Sequence, residues 1–322
     1  MLQKSRWRDI LCAAIAIAVL LGMGAAFLFA THVSQGVDFA MKLMPGWNLA
    51  NTLDAWGLGN GAGAPDVYET YWGSMAVTKA EINAIAAAGF HTLRVPITWF
   101  EHMEADDRID PVWLDRVQTI VDWALDAGMH VIVNAHHDRW YTPDPAKLDT
   151  ALATMRAVWG QIAQRFQAYG DHLLFEGMNE PRLIGQPEEW TAGTPAARDC
   201  VNQLNATFVQ TVRATGGENI TRYLLVPAYC ASVRAEALSA LVLPADSHVM
   251  VSAHLYAPYD FTLNEHGTAD FSTVNDRDTA SIREAFRQLT SRFTSRGVPV
   301  VLTEFGAMDK GNAQARTAWA AY

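Results

Sequence analysis

The stretch LLFEGMNEP, residues 173–181, has the pattern of a short buried strand that ends in an amide, a carboxylate and a proline. The apolar run predicts a strand that delivers Asn179 and Glu180 to one edge of a sheet. A second stretch, VPVVLTEFG at residues 298–306, has the same form and ends with Glu304. A carboxylate at the end of a buried strand costs free energy of desolvation unless it is paired or used in chemistry. Together the two stretches predict one shared site with a catalytic pair of glutamates.

Strand-like and helix-like patterns alternate around these two stretches along most of the chain. Five further strands are predicted, at residues 46–50, 91–96, 130–135, 222–227 and 249–256. Predicted helices cover residues 79–88, 111–127, 146–169, 197–215, 235–241 and 279–295. The first of these helices begins after Thr78, a predicted N-cap with Glu81 three residues later. Seven strands that are apolar enough to be buried on both faces, separated by helices, predict a parallel sheet.

Polar residues follow the predicted strands and not the predicted helices. They are Asn51, Arg94, His136, Glu180, His254 and Glu304. A (β/α)8 barrel places its active site at this end of its strands, whereas an open doubly wound sheet uses one switch point. The pattern therefore favours the α/β class with a (β/α)8 TIM barrel. Only residues 312–322, a predicted helix start, follow the seventh strand, so we expect a barrel truncated before its eighth strand and helix.

The first 30 residues have the pattern of an export or anchoring segment. Residues 1–9 include Lys4, Arg6 and Arg8, and residues 10–30 contain no charged side chain. The apolar run is long enough to span a bilayer, so a cleaved signal peptide and an N-terminal membrane anchor both fit. We expect residues 31–322 to form one barrel domain outside the cytoplasm, secreted to the extracellular space or periplasm, or tethered to the membrane.

Charge and cysteine content narrow the classes of partner. The 322 residues include 24 Lys and Arg against 34 Asp and Glu, a formal net charge of −10. This balance argues against nucleic acid or an anionic membrane surface as a partner and fits a neutral polymer substrate. Cys12 lies in the apolar N-terminal run, which leaves Cys200 and Cys230. These two form a disulfide only if the fold brings them together, which the sequence does not decide.

Two local patterns indicate other chemistry and are weighed against their context. The stretch GLGNGA at residues 57–62 matches a dinucleotide fingerprint, but Gly63 and Pro65 stand where the helix of that motif should open, so a loop is predicted. His136 and His137 suggest a metal site. Adjacent strand residues face opposite sides, however, and no HExxH or CxxC motif accompanies them, so no metal is expected.

Six short motifs occur in a fixed order along the chain. They are GWNLANTLD at 46–54, GFHTLRVP at 89–96, NAHH at 134–137, MNEP at 178–181, HLY at 254–256 and TEFG at 303–306. In this order they resemble glycoside hydrolase family 5, the cellulase-like retaining β-glycanases, over residues 46–307. Residues 205–229 and 259–261 are similar to subfamily 4, a group that spans endo-β-1,4-glucanases, xyloglucanases and some xylanases.

The resemblance implies a role for each matching residue. Glu180 is expected to be the general acid/base and Glu304 the nucleophile, about 5 to 5.5 Å apart as retention requires. Arg94 is expected beside Glu304, keeping it ionised, and Asn179 is expected to bind the 2-hydroxyl of the sugar. The remaining expected site residues are His254 and Tyr256 in the catalytic group and His136, His137 and Asn51 in substrate binding. His137 has the alternative of pointing into the barrel wall, and Glu176 is expected to contact the barrel interior or a neighbouring strand.

The activity that follows from the resemblance is a retaining endo-β-1,4-glucanase. It would hydrolyse β-1,4-glucan or xyloglucan chains by double displacement, as a monomer and without a cofactor. A β-1,4-mannanase or xylanase of the same family is the alternative among enzymes. A non-catalytic glycan-binding barrel is the alternative from another class, but it would have no use for the pair of carboxylates.

Overall fold

The computed structural model of the protein describes residues 35–322. The predicted export or anchor segment at residues 1–30 lies outside this range. Within residues 35–322, no helix combines the length and the apolar character needed to cross a bilayer.

Seven parallel strands form one sheet whose spatial order follows the chain. They are β1 (Gly46–Asn48), β2 (Thr92–Val95), β3 (His130–Asn134), β4 (Leu173–Glu176), β5 (Leu224–Ser232), β6 (Val249–Leu255) and β7 (Val300–Phe305). Asn48 on β1 donates a hydrogen bond from Nδ2 to the Thr303 carbonyl on β7, at 2.9 Å. The sheet therefore curves into a nearly closed barrel, which confirms the predicted fold class.

Helices connect the successive strands and cover the outside of the sheet. The helices are α1 (residues 35–42), α2 (Pro65–Glu69), α3 (Lys79–Ala87), α4 (Pro111–Asp126), α5 (Leu148–Arg165), α6 (Pro195–Ala214), α7 (Ala235–Ala240), α8 (Tyr259–Thr262), α9 (Asp276–Arg292) and α10 (Ala313–Ala321). As predicted, Thr78 caps α3 by accepting a hydrogen bond from the Glu81 N–H at 3.2 Å. The six predicted helices correspond to α3, α4, α5, α6, α7 and α9, with ends that differ by a few residues.

Strand residues alternate between two apolar environments. Val131, Phe175 and Val226 pack outward in a large core with the helices. The intervening residues Ile132 and Leu174 belong to a smaller cluster inside the barrel, which also includes Leu43, Leu225 and Met250. Because side chains alternate along a strand, the next inward position on each strand lies one layer nearer the carboxyl end. That layer is polar and forms the floor of the site.

Three local expectations have a clear outcome. The stretch at residues 57–62 is a loop, as predicted, and the buried Glu101 carboxylate accepts hydrogen bonds from the N–H groups of Gly57 and Leu58 at 2.9 and 3.2 Å. Strand β5 extends beyond its predicted end, with a register shift where Cys230 and Ala231 adopt positive φ angles. Cys200 and Cys230 are both buried and free, so they form no disulfide with each other.

Candidate active site

The site forms where polar side chains meet at the carboxyl ends of the strands. In the register of the sheet, Arg94 on β2 aligns with Ile132 on β3, and Asn134 on β3 aligns with Glu176 on β4. The Glu176 carboxylate accepts hydrogen bonds from both Arg94 and Asn134, so these three polar side chains meet directly above the apolar interior. Glu304 lies near the end of β7, and its contact with Arg94 connects it to these side chains.

Glu304 is held by three neighbours. Arg94 Nη1 lies 2.8 Å from its Oε1, and the Tyr256 hydroxyl donates to its Oε2 at 3.0 Å. His254 Nδ1 lies 3.4 Å from the same Oε2. Burial alone would raise the pKa of Glu304, but the positive charges of His254 and Arg94 outweigh burial and hold the pKa well below its ordinary value. Glu304 is therefore an ionised carboxylate, the state that its predicted role requires.

Glu180 faces Glu304 from the loop after β4. Its Oε1 accepts a hydrogen bond from His254 Nδ1 at 2.7 Å, and Arg182 Nη1 lies 3.5 Å from its Oε2. One oxygen of Glu180 and one of Glu304 lie within 4.8 Å of each other, with His254 between them. Retaining glycosidases separate their carboxyl groups by about 5 to 5.5 Å and inverting ones by about 6.5 to 9.5 Å. Two oxygens that approach this closely fit the retaining geometry better than the inverting one.

Arg94 connects Glu304 to the other polar residues of the site. Its guanidinium is buried and donates to Glu304, to Asn179 Oδ1 at 2.7 Å and to Asn48 Oδ1 at 3.0 Å. It also donates to Glu176 Oε2, with Nε at 2.8 Å. Burial opposes the charge, but the two carboxylates raise the pKa of Arg94 above its ordinary value. The guanidinium therefore stays charged and fixes the orientation of the Asn179 amide.

Two histidines flank Glu304 in different protonation states. Burial lowers the pKa of His136 well below its ordinary value, and the Arg94 charge lowers it further. Burial also opposes the charge of His254, but Glu304 and Glu180 raise its pKa overall. Tyr256 remains protonated, since burial and the nearby Glu304 charge raise its pKa. His254 and Tyr256 therefore both donate to the carboxylates.

Two predicted substrate-binding residues lie at the edge of this cluster. Asn51 is exposed, with a φ of 60°, and among residues 35–322 no hydrogen bond joins its side chain to the cluster. The His137 side chain is 30% exposed, and its ring contacts those of His136 and Trp72. His137 is thus not buried in the barrel wall. Both side chains are accessible to a substrate.

The side chains of His136 and His137 approach one common point, contrary to the expectation that adjacent residues face opposite sides. Both residues lie beyond the end of β3, where strand alternation no longer applies. One nitrogen of His136, one of His137 and an oxygen of the buried Asp54 lie within 4.8 Å of each other. Glu180, His254 and Glu304 form a second such group, but there His254 Nδ1 is bonded to Glu180. Asp138, the next residue, belongs to neither group. Its carboxyl group accepts hydrogen bonds from the N–H groups of Trp99 and Phe100, and burial raises the pKa of Asp138 to about 7.

Several residues of the site have no clear signal in the sequence. Glu176 and Asn134 are single polar residues within strands, and Arg182 stands in a loop. The Arg182 guanidinium lies over the ring of the exposed Trp190, 4.4 Å from its centroid, and also contacts Glu180. Only the folded structure shows that Arg182 contacts Glu180, and that Glu176 and Asn134 join the site through Arg94 and His136.

Known proteins match this chain along most of its length. The family profile described as cellulase (glycosyl hydrolase family 5) matches residues 59–322. Endoglucanase 1 of Ruminococcus albus is 43% identical over 289 residues, which cover 88% of this chain and 68% of that protein.

Solved structures are similar over the same region. A GH5-4 broad specificity endoglucanase from Ruminococcus champanellensis with bound cellotriose has a TM-score of 0.83 and 41% identity, covering 87% of this chain and 82% of its own. A GH5 xyloglucan-specific endo-β-1,4-glucanase from a metagenomic library, also in complex with cellotriose, has a TM-score of 0.84 and 34% identity. That match covers 89% of this chain and 84% of the other.

Proposed function

This chain belongs to glycosyl hydrolase family 5, the cellulase family, and we propose from its site that it is a retaining endo-β-1,4-glucanase acting on β-1,4-glucan or xyloglucan chains. The observation that carries this proposal is the pair Glu180 and Glu304, with oxygens within 4.8 Å and His254 between them. The names of the similar proteins support the substrate class, since they include endoglucanases and a xyloglucan-specific enzyme.

In the first chemical step, Glu304 attacks the anomeric carbon of the sugar on one side of the scissile bond. Glu180 donates a proton to the glycosidic oxygen as the bond from that oxygen to the anomeric carbon breaks. The shortened chain leaves with the proton, and the sugar is covalently bound to Glu304. His254, bonded to Glu180 Oε1, keeps the acid oriented toward the nucleophile.

In the second step, Glu180 accepts a proton from water, and the water oxygen attacks the same anomeric carbon. The ester bond to Glu304 breaks and the carboxylate is restored, so the product keeps the original anomeric configuration. Arg94 and Tyr256 hydrogen-bond to Glu304 and stabilise the negative charge that returns to it.

Asn179 is suited to bind the sugar during both steps. Its Oδ1 accepts a hydrogen bond from Arg94, a group that has only donors, so its Nδ2 is the end available to a ligand. We assign this Nδ2 to the 2-hydroxyl of the sugar that is attacked. This hydrogen bond would strengthen as positive charge develops on the ring in the transition state.

The test compares Glu180→Ala and Glu304→Ala with the wild type on carboxymethylcellulose, xyloglucan, xylan and mannan. General acid/base or nucleophilic groups contribute about 10² to 10⁴-fold or more, so each variant should lose at least that much turnover. Azide should rescue the two variants with opposite anomeric products. Glu265→Ala is the control, because Glu265 is exposed on the loop after α8. A loss below about tenfold at either glutamate would contradict the assigned roles.

We also propose that the enzyme is a monomer that acts outside the cytoplasm. The basic residues 1–9 and the uncharged run at residues 10–30 support export, by cleavage or by anchoring. Cell fractionation with N-terminal sequencing of the mature protein tests this proposal, and the elution volume in size-exclusion chromatography tests the monomer. Intact full-length protein in the cytoplasmic fraction would contradict export.

A further inference from the structure

Asn134, the last residue of β3, is fully buried and has an amide orientation that its neighbours fix. Its Oδ1 lies 3.1 Å from the backbone nitrogen of Ile97. A backbone N–H can only donate, so the oxygen of the amide must face Ile97. The Nδ2 group must therefore face the opposite side, where two acceptors are available.

The two hydrogens of Asn134 Nδ2 have two partners. One is Glu176 Oε2 at 3.1 Å, and the other is His136 Nδ1 at 3.0 Å. Glu176 Oε2 also accepts from Arg94, which keeps this oxygen an acceptor. Since Asn134 donates to His136 Nδ1, that ring nitrogen carries a lone pair and no proton.

The ring of His136 then has its proton on the other nitrogen. Four charged or titratable groups face it, namely Arg94, Glu304, His137 and His254, and burial together with Arg94 keeps the ring neutral. His136 Nε2 lies 3.8 Å from Glu304 Oε1, beyond hydrogen-bond length. Its Nε2–H therefore faces Glu304 but makes no hydrogen bond with it, and it remains available to a ligand.

We propose that Asn134 is a positioning residue that holds His136 as the neutral tautomer with its proton on Nε2, and that Glu176 anchors both Asn134 and Arg94. This assignment deepens the proposed function, on which its kinetic consequence rests. With the proton on Nε2, His136 presents a donor to a sugar hydroxyl and to the charge on Glu304. The other neutral tautomer would present a lone pair to that carboxylate and would repel it.

This arrangement gives the two histidines beside Glu304 complementary roles. His254 donates from Nδ1 to Glu180, whereas the Nε2–H of His136 faces the other side of Glu304, 3.8 Å from Oε1. The buried Glu176 carboxylate is connected to Glu304 by two series of side chains. One series consists of Arg94 alone, which contacts both carboxylates. The other runs through Asn134 and His136. Substitution of Asn134 should therefore change the electrostatic surroundings of Glu304, although Asn134 makes no contact with Glu304.

The tautomer can be measured without any activity, by ¹⁵N NMR of the protein labelled at histidine. His136→Gln identifies the signals. In the wild type we expect His136 to show an unprotonated Nδ1 and a protonated Nε2, with no titration between about pH 5 and 8. Observation of a proton on Nδ1, or titration in that range, would overturn the proposal whatever the activity of the enzyme.

Two variants test the consequence for catalysis. In Asn134→Asp the carboxylate favours a proton on Nδ1, so Nε2–H survives only in the doubly protonated ring. The kcat/KM of this variant should fall as pH rises from about 6 to 8, more steeply than that of the wild type, and should be lower by about tenfold or more at pH 8. Asn134→Ala removes the donor, and should give mixed tautomers with a smaller loss of kcat/KM.

Asn205→Asp and Asn205→Ala are the matched controls. Asn205 is equally buried, but it lies on α6 and donates to the Pro227 carbonyl. These controls should lose stability without any change in the His136 spectrum or the pH profile. Asn134 variants that keep wild-type kcat/KM at every pH would overturn the positioning role. A wild type inactive on all four polysaccharides but with the expected tautomer would instead overturn the proposed function alone.

Discussion

His254 is a buried histidine that contacts both Glu180 and Glu304. It is buried, yet Glu304 and Glu180 raise its pKa above the ordinary value of about 6.5. The folded protein thus binds a proton at His254 more tightly than the unfolded chain does. The stabilising contribution of this proton is complete below about pH 6.5 and is lost as pH rises through the raised pKa of the folded state.

The first prediction follows from this linkage. The free energy of unfolding of the wild type should decline as pH increases above about 6.5, and His254→Gln should lack this part of the decline. Urea unfolding at a series of pH values measures both curves. His266→Gln provides the control, because His266 is exposed on a loop and contacts neither Glu180 nor Glu304. Parallel curves for wild type and His254→Gln would show that the two glutamates do not stabilise a charged His254.

At the same scale, the sequence indicates the residues of the site that follow strands better than those within strands. Glu180 and Glu304 are conspicuous because each ends an apolar run. Asn134 has no such signal, since a single amide at the end of HVIVN is typical of any strand terminus. Its role depends on the Ile97 N–H from the neighbouring chain segment, and that contact is a property of the folded sheet.

At the scale of elements, the loop at residues 57–63 shows how a glycine-rich segment is fixed without regular structure. Glu101, in the turn Phe100–His102 after β2, accepts the N–H groups of Gly57 and Leu58. Asn60 adds a hydrogen bond from its side chain to the Met103 carbonyl at 2.5 Å. The loop is therefore bound to the segment that follows β2, close to the site.

Substitution of this anchor should release the loop. Glu101→Ala leaves two backbone N–H groups without their acceptor, so we expect a loss of about 1–3 kcal/mol in the free energy of unfolding. Limited proteolysis and amide hydrogen exchange should show faster cleavage and exchange at residues 57–63. Glu104→Ala is the matched control, because Glu104 is exposed and pairs with Arg108 at the surface. Equal protection of the loop in both variants would refute the anchoring role.

The elements themselves were largely predictable, because their signals are local. Apolar runs predicted all seven strands, and a capping residue predicted the start of one helix, at Thr78. The extension of β5 to Ser232 was not predictable, since it depends on a register shift against β6 and on positive φ at Cys230 and Ala231. Those angles are disfavoured for residues with a Cβ and are held by the surrounding sheet.

At the scale of the whole molecule, closure of the sheet converts dispersed motifs into one site. Arg94, Glu180 and Glu304 are far apart in the sequence, and the order of the strands alone says only that they share an edge. The Asn48 hydrogen bond to Thr303 and the Arg94 contact with Glu304 connect the first two strands with the seventh. Distances such as these depend on the curvature of the barrel, which no local pattern specifies.

The net charge of −10 belongs to the molecule as a whole and predicts how salt affects different substrates. Carboxymethylcellulose is anionic, so an acidic enzyme repels it at low ionic strength, and salt should relieve this repulsion. Between about 0.01 and 0.5 M NaCl, kcat/KM should rise severalfold on carboxymethylcellulose and change less than about twofold on neutral hydroxyethylcellulose, since the screening length falls from about 30 Å to a few Å. Initial rates on the two polymers at each salt concentration provide the measurement. An equal increase on both would mean that salt acts on the enzyme itself and not on the encounter with a charged chain.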